Sequence, residues 1–251
     1  MQFPVAKPPW SQLGRKLESA FRKALYDFRM LEDTSKVAVA LSGGKDSLTL
    51  LYLLKAISGK GFPPLEIYAI HVDGEFSCGA GVAQNFLQGI CDQLDVTFIQ
   101  RSSTQKLETL ECYSCSRERR KLLFHAAQEC GVETIAFGHH QDDHAQTVLM
   151  NLLHKGEFAG NLPKIKMYEY GITIIRPLIY IAEESIREFA KQQGFMRTMC
   201  RCPVGQNSMR KKVDRLIDEI EALYPNAREN IAKAGLLYGS NKAALPTKGN
   251  L

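Results

Sequence analysis

The chain is expected to fold as an α/β domain: a parallel sheet flanked by helices, with helical additions at its N- and C-terminal ends. Three observations lead there. Short apolar runs alternate with longer amphipathic segments from Val37 to Gln193, the pattern of a parallel sheet covered on both faces. Several of these runs stop at Gly, Ser, Asp or His, at the carboxyl ends of strands, where such sheets keep their ligands. One run, Val37 to Ser47, reads VAVALSGGKDS: an apolar strand, a glycine pair and the start of a helix.

The elements follow in order. Ser11 to Leu31 form an amphipathic helix with Leu13, Leu17, Phe21 and Ala24 on one face, while Arg15, Lys16, Arg22, Lys23 and Arg29 cover the rest as a solvated face. The strand that begins at Val37 hands over to a helix starting at Asp46-Ser47 and continuing through Leu48 to Ile57. Leu65 to Val72 read as a buried strand ending at Asp73-Gly74. A helix over Gly81 to Leu94 and a strand over Asp95 to Gln100 come next, then a helix over Arg117 to Cys130 closed by Gly131. Thr134 to Phe137 make a short strand ending at Gly138-His139-His140, and Asp142 to His154 a helix. Ile172 to Arg176 form a further strand stopped by Pro177, and Glu183 to Gln193 a helix. A cysteine-bearing loop after Met199 leads to a helix over Ser208 to Leu223, a break at Tyr224-Pro225 and a shorter helix to Leu237. The tail from Tyr238 to Leu251 has little to bury and is expected to be mobile. The chain thus divides into an N-terminal helix (1–35), a central domain (36–198), a late cysteine loop with C-terminal helices (199–237) and a tail (238–251).

Composition narrows the class. With 251 residues the chain can bury a full core. No apolar run approaches the ~20 residues of a membrane span, and Met1 to Trp10 lack the layout of a signal peptide. A cytoplasmic protein with no membrane partner is the expectation. The net charge of +5 permits a nucleic-acid partner without requiring one. The seven cysteines are Cys78, Cys91, Cys112, Cys115, Cys130, Cys200 and Cys202, and an odd count in a chain of this kind argues against a disulfide framework.

The glycine pair is the first chemical signal. Gly43 and Gly44 let the backbone turn tightly and approach a ligand, and the new helix offers N–H groups and a positive dipole end to a phosphate. The order Ser42-Gly43-Gly44-Lys45-Asp46-Ser47 is not a Walker A loop but resembles the pyrophosphate loop of the N-type ATP pyrophosphatases. The resemblance implies that Gly43 and Gly44 N–H groups and the Ser42 and Ser47 hydroxyls hold the pyrophosphate part of ATP. It further implies that Lys45 neutralises charge and that Asp46 helps to place Mg²⁺. Asp73, Gly138, His139, His140, Asp142 and Asp143 lie at other strand ends and should converge on the same crevice, although the carboxylates at a helix start also serve as caps.

Cysteines are the second signal. Cys112-Tyr-Ser-Cys115 has the spacing at which two thiolates bind one metal or one cluster, and Cys200-Arg-Cys202 offers further ligands. Thiolate chemistry alone leaves zinc and an iron–sulfur cluster open. Cys78, Cys91 and Cys130 read as small buried hydrophobes. Both pairs are flanked by basic residues: Arg117, Arg119, Arg120 and Lys121 by one, Arg197, Arg201, Arg210, Lys211 and Lys212 by the other. Two such clusters bordering one crevice favour an RNA partner, and Tyr113 is suited to stacking on an extruded base or to packing against the sheet.

Together these motifs resemble one family. The phosphate loop, the C-x-x-C followed by Ser-Arg-x-Arg-Arg, the run Gly138-His-His-Gln-Asp-Asp143 with Gln146-Thr147, the segment Ile175-Arg-Pro-Leu178 and the late cysteines occur in the order of the tRNA 2-thiocytidine biosynthesis enzymes, the TtcA-type tRNA thiolases. The resemblance covers Val37 to Tyr224. It implies a Rossmann-like adenine nucleotide α-hydrolase (PP-loop) domain that uses ATP to adenylate a cytidine, at position 32 of the tRNA anticodon loop. Sulfur is then transferred by way of a [4Fe–4S] cluster held by Cys112, Cys115 and Cys202. The late pair departs from the C-x-x-C of the family, so Cys200 is the alternative third ligand. Catalytic roles fall to Asp46 and the three cysteines, and RNA contacts to Arg117, Arg119, Arg120, Lys121, Arg201, Arg210 and Lys211. A homodimer fed with sulfur by a cysteine desulfurase is also expected. A tRNA 2-thiouridine synthetase and a zinc-stabilised RNA-binding module without catalysis are the alternatives.

Overall fold

The computed structural model of the chain describes residues 4–74, 84–105, 112–195 and 209–241, with residues 112–114 described by their backbone alone. Cys78, Arg197, Cys200, Arg201 and Cys202 therefore lie outside the described residues, as does all but the start of the tail.

Helix α1 (Gln12–Asp27) leads into β1 (Lys36–Ala40), α2 (Lys45–Ile57), β2 (Glu66–Asp73), α3 (Gln84–Leu94) and β3 (Thr97–Ser102). Then come α4 (Cys112–Glu129), β4 (Thr134–Ala136), α5 (Gln141–Lys155), β5 (Lys164–Met167) and β6 (Ile172–Ile175). Helices α6 (Glu183–Gln192), α7 (Met209–Leu223) and α8 (Ala227–Tyr238) complete the order. The sheet has the order β3-β2-β1-β4-β6-β5, with every pairing parallel except β5 against β6. From β1 the chain crosses to β2 on one side, and it later returns to place β4 on the other. This reversal between β1 and β4 is the switch point at which open α/β sheets leave a crevice.

Two-residue periodicity sends alternate side chains into two cores. Val37, Val39, Ile67 and Ala69 enter a layer with α1, α2, α3 and α6. Ala38, Ile70, Val72, Ile135 and Ile174 enter a smaller layer under α4. Helix α1 contributes Leu17, Phe21, Ala24 and Leu25 to the first of these, as its i, i+4 stripe predicts. No helix among the described residues is long and apolar enough to cross a membrane.

Several elements depart from the sequence expectations. Helix α1 stops at Asp27, before a turn that places Arg29 and Asp33 at positive φ. Strand β3 starts two residues late because Asp95 takes a left-handed turn conformation. Helix α4 starts at Cys112, not at Arg117, so the C-x-x-C is the first turn of the helix. Strand β5 was not expected: Lys-Ile-Lys-Met is a short edge strand with little apolar signal, formed by antiparallel pairing with β6.

Helices α5, α7 and α8 pack as a group through Ala145, Val213, Ile217 and Ala232. One side chain ties them together. Arg228 of α8 pairs with Asp214 (2.8 Å), Asp218 (2.6 Å) and Glu221 (3.4 Å) of α7, and lies 3.5 Å from Asp142 of α5. Asp142 is buried and also accepts the Glu183 N–H (2.7 Å) at the start of α6. Removing the guanidinium takes away the cation that these carboxylates share. Arg228→Met should cost about 2–3 kcal/mol in urea unfolding, since breaking a largely buried pair leaves an uncompensated charge. It should also speed amide exchange in α7 first; unchanged exchange in α7 would place its anchor elsewhere.

Candidate active site

A cavity of about 380 Å³ opens at the switch point, above the carboxyl ends of β1, β2 and β4. Three segments remote in sequence form its wall. The loop after β1 supplies Ser42, Asp46 and Ser47; the segment after β4 supplies Phe137, Gly138, His139 and Asp143; and α4 supplies Ser116, Arg119, Arg120 and Leu123. Arg210, on the first turn of α7, closes one side. The sequence-predicted residues Ser42, Asp46, Ser47, Arg119, Arg120, Gly138, His139, Asp143 and Arg210 therefore meet.

The glycine loop is shaped from inside. Gly43 has φ +83°, in the region that favours glycine. The Gly44 N–H donates to Ser42 Oγ (3.3 Å), Ser42 Oγ and Ser47 Oγ are 3.1 Å apart, and Ser47 Oγ donates to the Gly44 carbonyl (3.0 Å). Gly44 is the N-cap of α2 and has no side chain to satisfy the first-turn amides, which leaves them for an anion.

Lys45 is held by carboxylates beside that turn. Its Nζ pairs with Asp46 (2.8 Å) and with Glu183 (3.0 Å) at the start of α6. Burial opposes its charge, but the two carboxylates more than reverse this and raise its pKa, so it stays a cation.

The segment after β4 holds the titratable groups. His140 is the N-cap of α5 and forms a capping box with Asp143: its Nδ1 accepts the Asp143 N–H (3.5 Å) and its own N–H donates to Asp143 Oδ2 (3.2 Å). Burial disfavours an imidazolium at His140, yet the carboxylates of Asp143, Asp142 and Asp46 around it raise its pKa. Burial would likewise raise the Asp143 carboxyl. The imidazoles before it and Arg210, which donates to Asp143 Oδ1, instead hold it down at about 2. His139 is driven the other way: burial and the adjacent Arg176 guanidinium lower it to about 3, so it is neutral at physiological pH. Its ring stacks on Phe137 with centroids 5.7 Å apart and planes at 17°.

Gly138 sets the spacing between two of the walls. A Cβ placed there would lie 3.1 Å from the Asp46 carbonyl carbon and 3.1 Å from the Ser47 nitrogen. Backbone meets backbone at that point, so a side chain there requires a shift of a few tenths of an ångström.

The other described residues among those predicted fall outside the cavity lining. The Asp73 carboxylate accepts the N–H of its neighbour Gly74 (2.8 Å) at the end of β2. Arg117 and Lys121 are exposed on α4, and Lys211 is exposed on the first turn of α7. Cys115 is half-buried and precedes Ser116 of the lining. Sequence reasoning missed Phe137, Ser116, Arg176 and Glu183 as site residues. Arg176 was legible as the one cation between a strand and Pro177, but only the fold puts it behind His139. Ser116 could be found only once α4 was known to start at Cys112.

The model of the PP-loop domain family matches residues 11–197. A tRNA-cytidine(32) 2-sulfurtransferase of Anaeromyxobacter dehalogenans is 34% identical over 231 residues, which is 89% of this chain and 79% of that protein. A protein of the same description from Geobacter sulfurreducens is 30% identical, with 88% of each chain covered. Among solved structures, the U34-tRNA thiolase NcsA from Methanococcus maripaludis with its [4Fe-4S] cluster superposes with a TM-score of 0.68 at 25% identity, covering 89% of this chain and 77% of that one.

Two outcomes follow from the geometry. Gly138→Ala should keep the fold but weaken ATP binding at least tenfold in a nucleotide titration, because its Cβ displaces the start of α2; unchanged affinity would mean that the loop does not hold the nucleotide. The depressed pKa of Asp143 also makes a prediction about acid stability. Its stabilising contribution is complete above the unfolded carboxyl value of about 4 and is lost as pH falls towards about 2. Asp143→Asn should therefore flatten the fall of unfolding free energy between those pH values, measured by urea titrations at fixed pH.

Proposed function

We propose that this chain, which belongs to the PP-loop domain family, is an ATP-dependent tRNA sulfurtransferase that converts cytidine 32 to 2-thiocytidine. The observation that carries the reading is that one cavity joins the phosphate-binding start of α2 to the first turns of α4. Positions 112, 115, 116, 119, 120 and 123 of α4 follow the spacing of a single helical stripe, and the last four of them line the cavity. The backbone of the C-x-x-C therefore sits on the same stripe as residues that face Ser42, Asp46 and Ser47.

In this reading the first-turn amides of α2 and the hydroxyls of Ser42 and Ser47 bind the departing pyrophosphate. Arg119, Arg120 and Arg210 offset the charge of the triphosphate and of the RNA backbone. Asp46 is the carboxylate on the lining suited to Mg²⁺, bound together with the phosphates. The base carbonyl oxygen displaces pyrophosphate from the α-phosphate, which turns an amide-like oxygen into a good leaving group as AMP. Exposed Arg117, Lys121 and Lys211 extend the cationic surface towards tRNA.

A [4Fe–4S] cluster fits the residues present. Cys112 and Cys115 begin a helix, where the dipole favours thiolates, with Cys202 or its neighbour Cys200 as third ligand. Such a cluster supplies bound sulfur at a fixed place beside the activated base. A cysteine desulfurase would restore the sulfur.

Nucleoside mass spectrometry of tRNA from a strain lacking the gene should show loss of 2-thiocytidine, restored by the intact gene and not by Cys115→Ser. Loss of 2-thiouridine instead, as the relationship to the U34 thiolase allows, would move the target to uridine. Anaerobically purified protein should carry about four irons per chain. A single zinc in its place would favour the non-catalytic module.

A further inference from the structure

We propose that Arg176 locks His139 into the tautomer protonated at Nε2, making His139 a fixed hydrogen-bond donor to an oxygen of the reacting nucleotide and Arg176 a positioning residue. The donor role rests on the reading of this cavity as the adenylation site; the lock does not.

The argument starts from donor count. Arg176 follows β6 and is buried, with 9% of its surface exposed. Its Nε–H points at His139 Nδ1 (3.3 Å), and its Nη1 donates to the Leu162 carbonyl. A guanidinium has donors and no acceptor, so Nδ1 must be the accepting nitrogen. A neutral imidazole has one N–H, which then belongs to Nε2. The lowered pKa of His139 agrees with this, since a proton on Nδ1 would face the guanidinium directly. The groups that face the ring are Arg176 from the end of β6, His140 and Asp143 from α5, and Arg210 from α7. Asp143 alone favours a charged ring, and it is already engaged by Arg210 and by the His140 N–H.

The ring is fixed in direction as well as in protonation. Phe137 stacks on one face, Nδ1 is held from behind, and His139 lines the cavity. Nε2–H is the edge left for a ligand. It lies in the cavity that Ser42 and Ser47 also line, so the acceptor is an oxygen at the reaction centre: the α-phosphate or the base carbonyl joined to it. A fixed donor to an oxygen that gains charge in the transition state is typically worth about 10²–10³ in rate. The lock also removes His139 as a general base, because its one unprotonated nitrogen is covered.

The test uses the full-length protein with ¹⁵N-labelled histidine. His139 is assigned from the signals missing in His139→Gln, and nitrogen–proton correlations are followed from pH 5.5 to 8. The expected pattern is protonation on Nε2 at every pH, with no titration. A ring protonated on Nδ1, or one that titrates in this range, overturns the lock, and this needs no Arg176 variant to fold. In Arg176→Gln the pKa of the ring should rise, while burial still holds it below its ordinary value of about 6.5. Single-turnover thiolation should fall about 100-fold in Arg176→Gln, with the concentration of ATP needed for half saturation changed less than threefold. The two amides separate the nitrogens: the Gln amide reaches the place of Nε2, the Asn amide that of Nδ1. His139→Gln should recover at least a tenfold part of the rate lost in His139→Asn. Equal rates for these two would overturn the donor role while leaving the spectroscopic result standing. Absence of tRNA thiolation by the intact protein is read separately in the nucleoside assay.

Discussion

The close approach of the main chain at Gly138 to the main chain at Asp46 and Ser47 is the constraint from which the site follows. Parallel strands β1 and β4 are neighbours, and each ends in a turn that starts a helix. With a side chain at 138 the two turns would be forced apart. Without one, the start of α2 and the start of α5 flank a single opening, and both helix dipoles direct positive potential towards it. The parallel pairing of the strands and the close fit at Gly138 set the distance between the start of α2 and the start of α5.

Charge is arranged on this frame with an excess of cations. Asp46 and Asp143 are the carboxylates of the lining; Arg119, Arg120 and Arg210 are its guanidinium groups, with Arg176 just behind. Burial and the neighbouring Arg120 lower Arg176 to about 10, which still leaves it a cation. Asp143 is matched by Arg210 and Asp46 by Lys45, so Arg119 and Arg120 are not offset within the lining. A folded protein tolerates such an excess where solvent reaches the cavity, and the excess becomes favourable when a polyanion arrives. A triphosphate and an RNA backbone both answer that description.

The parts of the fold that were legible are those that local chemistry dictates. Val37 to Val39, Ile67 to Val72 and Ile172 to Ile175 are strands because apolar and β-branched residues fill both faces, and α1 is a helix because its stripe is intact. The phosphate loop could be read residue by residue because glycine, serine and the helix start each have one conformational reason to be there. Strand β5 could not be read so, since its two lysines carry no burial signal and its pairing is decided by β6. The start of α4 was missed for a related reason. Cys-Tyr-Ser-Cys has weak helical preference, and its helix is set by the packing of Leu123, Phe124 and Ala127 downstream. Arg176 and Glu183 act through partners 37 and 138 residues away in sequence, His139 and Lys45, and no window along the chain contains both members of either pair.

The early start of α4 puts the C-x-x-C on the helix that lines the cavity. A loop bearing the C-x-x-C could have placed its thiolates at many distances from the nucleotide. A helix rises ~1.5 Å per residue, so the backbone at position 115 stands about 6 Å along the axis from Arg119, which lines the cavity wall. The same rigid element thus carries the C-x-x-C and the cavity-lining Arg119 and Arg120, and its underside is held by Phe124, Ala126 and Ala127 in the core. Sulfur transfer to an adenylated base requires the two reactants to be held together while water is kept from the activated carbon. A single helix that carries both the C-x-x-C and residues of the cavity wall needs no hinge between them.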